Sequence, residues 1–111
     1  MGGSAGQTLE GQMTFQLIVK PSAEEDIAFG RDFYNDIRPQ LADDYLSEID
    51  RCVELILSNP LRRAIVVKEI RRLHLQRFPY VISYIVEGES IVVIAVTHNR
   101  GRSRQWKSRL T

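Results

Sequence analysis

A chain of 111 residues, 43% hydrophobic and 26% charged, has room for one domain with a single modest core and not for two. No apolar run approaches the roughly 18–20 residues of a membrane helix, and Met1-Gly2-Gly3-Ser4-Ala5-Gly6 lacks the basic and apolar regions of a secretory signal, so a soluble, cytoplasmic protein is expected. The formal charge of +1 hides an asymmetry: residues 1–60 hold four Lys/Arg against eleven Asp/Glu, and residues 61–111 hold eleven against three. That split predicts either an acidic helical face beside a basic sheet edge, or two halves that neutralise each other through surface ion pairs.

One cysteine, Cys52, excludes an internal disulfide framework and fits a reducing compartment. The two histidines stand apart, with no second cysteine or paired carboxylate at ligand spacing, so neither a metal nor another cofactor is expected.

Residues 1–12 are Gly-rich, polar and aperiodic and read as a disordered tail; the folded domain is expected over residues 13–111. Phe15-Gln16-Leu17-Ile18-Val19 reads as a first strand, ended by Lys20-Pro21. Ser22-Ala23-Glu24-Glu25 has the form of a capping box, with the Ser22 hydroxyl accepting a helix N–H and Glu25 reaching back. Glu24, Glu25 and Asp26 would then sit where the helix dipole favours acids. Ala23, Ile27, Gly30, Tyr34 and Ile37 share a stripe at helical spacing, with Phe33 beside it. Arg38-Pro39 breaks that helix.

A second helix presents Leu41 or Ala42, then Tyr45, Ile49, Cys52 or Val53, and Ile56 on its inner face, and stops before Ser58-Asn59-Pro60. So short a link predicts an antiparallel helical hairpin. The period then changes. Ala64–Val67 and Glu69–Leu75 read as strands, and Tyr80–Val86 and Ile91–Val96 as a buried hairpin around Glu87-Gly88-Glu89-Ser90. The expected fold is α+β: an N-terminal strand and an antiparallel helical hairpin packed on a mainly antiparallel sheet.

The cations fall in three groups: Arg62 and Arg63; Lys68, Arg71, Arg72 and Arg77; and Arg100, Arg102, Arg104, Lys107 and Arg109, with Trp106 among the last. Arg71 and Arg72 must face opposite sides of their strand, Arg72 with Ile70 and His74. Arginine clusters take phosphate or carboxylate through bidentate hydrogen bonds, so RNA backbone and an acidic protein segment are both suitable partners. Arg62 and Arg63 equally suit the protection of a sheet edge. His98 is placed to act as a general base or simply to shape a strand end. His74 reads as packing, Cys52 as a small core residue, and Trp106 either as a stacking platform or as a cover for the core.

These residues carry a resemblance. Phe15 into Pro21-Ser22-Ala23-Glu24-Glu25-Asp26-Ile27, the hairpin ending at Asn59-Pro60, Arg72-Leu73, Phe78-Pro79-Tyr80-Val81-Ile82-Ser83-Tyr84, and Val96-Thr97-His98-Asn99-Arg100 with Trp106 eight residues after His98 together resemble the RelE/ParE family of type II toxin–antitoxin toxins, most closely its ParE branch. The resemblance implies a plasmid-stabilisation toxin held inactive by a cognate antitoxin. In the ParE branch the target is DNA gyrase, and Arg100, Arg102, Arg104, Trp106 and Lys107 would be contacts rather than catalysts.

In the RelE branch the activity is metal-free cleavage of mRNA on the ribosome, for which Arg72, His98 and Arg100 are the candidates here. Against that alternative, Val81 stands where RelE-like enzymes carry an arginine, and Trp106, which is neither acid nor base, stands where many have a tyrosine. A third possibility is an inactive remnant that only binds antitoxin.

Overall fold

Prolines set the frame of the N-terminal half. In the computed structural model, which describes residues 15–99, strand β1 (Gln16–Val19) leads into helix α1 (Pro21–Ile37) and then helix α2 (Pro39–Ser58). Each helix begins with proline at its first position, preceded by an extended residue, Lys20 or Arg38. Proline's fixed φ suits a helix start and its missing N–H is not needed there. Ser22 therefore lies inside the first turn of α1 and not at its cap. The expected capping box is not formed, and the Ser22 hydroxyl donates instead to the Ile94 carbonyl, 3.4 Å away on the sheet.

Strands β2 (Ile65–Val67), β3 (Ile70–His74), β4 (Tyr80–Glu87) and β5 (Ser90–His98) follow. They form one five-stranded sheet in the order β1-β5-β4-β3-β2. The last four strands are antiparallel to their neighbours, and β1 runs parallel to β5, Gln16 opposite Ser90 through Val19 opposite Val93. That parallel pairing requires a crossover, which the helical hairpin supplies. The fold is the expected α+β arrangement. The predicted tail, residues 1–12, lies outside the described residues.

Gly88 explains the β4–β5 turn: Glu87 pairs with Ser90, and Gly88 takes φ 59 as the first of the two loop residues. A two-residue hairpin needs positive φ there to match the twist of its strands. Lys68 adopts φ 54 at the equivalent place between β2 and β3, a position glycine would hold with less strain.

The main core lies between the helices and one face of the sheet. Tyr45, Ile49, Cys52 and Ile56 of α2 meet Tyr80, Ile82, Tyr84, Ile91, Val93 and Val96. Of the alternatives left by the helical pattern, Ala42 and Cys52 are buried while Leu41 and Val53 are only partly so. Ile37 and Phe33, expected on or beside the inner stripe of α1, are exposed. A second cluster, Ile70, Ile85, Val92, Ile94 and Ala95, occupies the opposite face.

Candidate functional site

The strand pair that carries the functional expectations is not a regular ladder. Opposite it, Ser83 pairs with Ala95 and Tyr84 with Val93, so Ile94 is an extra residue in β5. This bulge turns both Ile94 and Ala95 to the face away from the helices, and every residue beyond it changes side. Helix α1 holds the bulge in place. Asp26 Oδ2 accepts the Val96 N–H at 3.0 Å, and Ser22 reaches Ile94 as described.

The consequence falls on His98. It pairs with Tyr80 on the helical face, ring centroids 5.4 Å apart and nearly perpendicular. Arg72 pairs with Ser83 on the other face, the face of Ile70 in the second cluster. The two residues proposed to cooperate in RNA cleavage are therefore on opposite sides of the sheet. Arg100, Arg102, Arg104, Trp106 and Lys107 lie outside the described residues.

Other cations have structural work. Arg71 faces the helical side and donates to the carbonyls of Leu61 and Arg63, and Tyr84 donates to the Pro60 carbonyl at 2.8 Å. Together they pin the loop between α2 and β2. Arg77 pairs with Asp44 at 3.3 Å, an ion pair between the acidic and basic halves. His74 is exposed at the end of β3, not packed, with Nδ1 3.3 Å from Asn99 Oδ1. On the face of Arg72, the hydroxyls of Ser83, directly opposite it, and of Thr97, two strands away, are buried without hydrogen-bond partners. A guanidinium with neighbouring hydroxyls offers donors to a carboxylate or phosphate.

Two carboxylates matter more than the sequence suggested. Asp26 caps the bulge. Glu48, only 8% exposed, accepts the Gln76 N–H at 2.6 Å, the Arg77 N–H at 3.4 Å and Arg51 Nη2 at 2.9 Å. Burial raises its pKa, but those donors outweigh burial and hold the carboxyl below the ordinary range. The signal was present: Glu48 is three residues after Tyr45 and four before Cys52, on the inner face of α2.

Nucleophilic chemistry finds little support. Burial raises the Cys52 thiol and, with neighbouring Tyr80, the Tyr34 and Tyr45 phenols. Among the described residues no group of three His, Cys, Asp or Glu side chains is placed to hold a metal ion, and no helix is long and apolar enough to cross a membrane. A cleft of about 520 Å³ lined by Lys20, Lys68, Glu69, Ile85 and Glu87 balances two cations against two anions.

Comparison with known proteins agrees with this fold. A family model described as the ParE toxin of the type II toxin–antitoxin system parDE matches residues 17–102. Among solved structures, the chain is similar to one titled a chromosomal ParDE TA system from P. aeruginosa, with 21% identity and a TM-score of 0.69. The match covers 77% of this chain and 96% of that one. No curated protein matches.

Proposed function

The chain belongs to the ParE toxin family of type II toxin–antitoxin systems, and on that premise we propose that it poisons DNA gyrase by binding it, with a cognate antitoxin as its neutralising partner. The observation that supports binding over catalysis is the separation of His98 from Arg72 by the sheet. Metal-free phosphodiester cleavage needs a base at the 2′-hydroxyl and a cation at the developing phosphorane charge on the same side of the substrate. The proposed contacts are Arg100, Arg102, Arg104, Trp106 and Lys107, which follow directly after β5 and are dense in charge. They act by recognition: guanidinium forks for carboxylates, an indole for a groove.

The test is to incubate purified protein with gyrase, supercoiled plasmid and ATP and to look for linear DNA. Linear product that disappears on adding the cognate antitoxin is expected. No linear product from folded protein that still arrests growth would sink the gyrase reading and transfer it to ribosomal mRNA. Charge reversal at Arg100 and Arg102 should abolish growth arrest, whereas His98→Ala should leave it intact. A nuclease would have to recruit His74, which shares the face of Arg72, so His74→Ala should also be silent.

A further inference from the structure

Helix α1 leaves large apolar side chains exposed along one flank. Phe29 is 70% exposed, Phe33 53% and Ile37 57%, and their spacing of four residues aligns them along two turns of one flank. Phe33 touches Tyr34 edge-on at 5.1 Å, yet most of its ring faces solvent. A contiguous stripe of two phenylalanines and an isoleucine marks an interaction surface.

The charges around the stripe define what fits it. At 3.6 residues per turn, Glu25, Asp32 and Asp36 lie within about 60° of Phe29 around the helix, and all three are exposed. Asp32 shares its charge with Arg31 at 3.0 Å, the single cation within α1, whose own position is about 160° from Phe29. An acidic rim of this kind repels nucleic acid. It also disfavours a second copy of the chain, because two acidic rims would be brought together. The twelve residues after Asn99 are cationic, but they supply only Trp106 and Leu110 as large apolar side chains, one fewer than the stripe's three positions.

We infer that the α1 stripe docks an amphipathic helix from a protein partner, one with large apolar residues on successive turns and lysine or arginine along its edge. Such a helix lays its apolar face along Phe29, Phe33 and Ile37 while its cations meet Glu25, Asp32 and Asp36. The stripe belongs to α1, whereas the contacts proposed for the target are drawn from residues 100–107.

Two synthetic amphipathic helices test it on the full-length protein, identical in their leucine stripe and differing only in a lysine or a glutamate rim. The lysine-rimmed peptide should bind and the glutamate-rimmed one should not. Phe29→Gln with Phe33→Gln should weaken binding by about 30-fold or more, as loss of central apolar anchors does. Glu25→Lys with Asp32→Lys and Asp36→Lys should reverse the preference between peptides. Because the altered side chains are exposed, folding of each variant is checked by circular dichroism. Equal binding of both peptides, or of neither, would overturn the inference. So would a wild-type dimer that the phenylalanine variant dissolves, or a change in Trp106 fluorescence in that variant without peptide, which would assign the stripe to a second copy or to the chain's own C-terminal segment. None of these outcomes depends on gyrase.

Discussion

Helices α1 and α2 are of similar length, 17 and 20 residues, and both carry apolar residues at helical spacing, yet they use them differently. Helix α2 buries Ala42, Tyr45, Glu48, Ile49, Cys52 and Ile56, whereas α1 buries only Ala23 and Gly30 and leaves two phenylalanines in water. The difference arises from what lies beneath each helix. The inner face of α2 lies over the aromatic and β-branched residues of β4 and β5. The first turns of α1 are tied to the β5 bulge by Ser22 and Asp26, and its later turns pack inward through Gly30 and Tyr34 alone, which leaves Phe29, Phe33 and Ile37 on the outer flank. Periodicity specifies that a stripe exists; burial depends on whether the fold places a surface against it. Helix α2 is committed to stability, and the outer flank of α1 is available for recognition.

Four substitutions sharpen that contrast, beginning where the two helices touch. A Cβ on Gly30 would lie 2.6 Å from Tyr45 Cζ and closer still to its hydroxyl. The Tyr45 ring cannot retreat, since Tyr34, Phe78 and Tyr80 surround it at centroid distances of 5.3, 5.7 and 5.4 Å. Gly30→Val should therefore destabilise by about 3 kcal/mol by overpacking, although an alanine for glycine in an open helix ordinarily stabilises. A urea midpoint unchanged by the substitution would show that the helices are not locked together here.

Next in size is Glu48→Ala, which leaves the Gln76 and Arg77 amides without their acceptor and should cost about 2 kcal/mol. Its pH dependence is diagnostic. The folded carboxyl is held below the ordinary 4.5, so the unfolded chain binds more protons in that range. The stabilisation is complete above 4.5 and is lost as the pH falls through the folded value. Wild-type and variant unfolding midpoints should converge in acid and separate at neutral pH. Asp26→Ala comes third, at about 1.5 kcal/mol for a charged acceptor. Faster amide exchange at Val96 and a weakened contact between the His98 and Tyr80 rings would report a loosened bulge.

The order of elements, the helical hairpin and the β4–β5 turn were legible in the sequence because each rests on local chemistry: Pro21 and Pro39, Asn59-Pro60, Gly88. The inner face of α2 was legible for the same reason, down to Tyr45, Ile49 and Ile56. What escaped was set by long-range contacts. The bulge at Ile94 leaves no mark in the apolar run Ile91–Val96, since every residue there is buried whichever face it takes. Strict alternation would have placed His98 with Arg72, and a single inserted residue reverses that. Ser22 reads as a helix cap because its hydrogen bond to Ile94, 72 residues away, has no local signature. The candidate site was thus readable as a set of residue types but not as a geometry.

The smallest expected effect on stability is the most informative about α1. Phe29→Gln with Phe33→Gln replaces two large side chains whose surfaces stay mostly in water, so little apolar area is withdrawn from water there on folding. Glutamine is also a good helix former, whereas phenylalanine loses rotamer freedom against the preceding turn. These terms nearly cancel, and the melting free energy should change by no more than about 0.5 kcal/mol, as for surface sites in general. The same pair of changes in α2, at Tyr45 and Ile49, would remove the centre of the core. If the phenylalanine variant instead unfolded readily, the stripe would belong to the fold, and α1 would differ from α2 in degree only. If it folds as wild type, the exposed phenylalanines serve something other than the fold, which is the condition any recognition role for this flank requires.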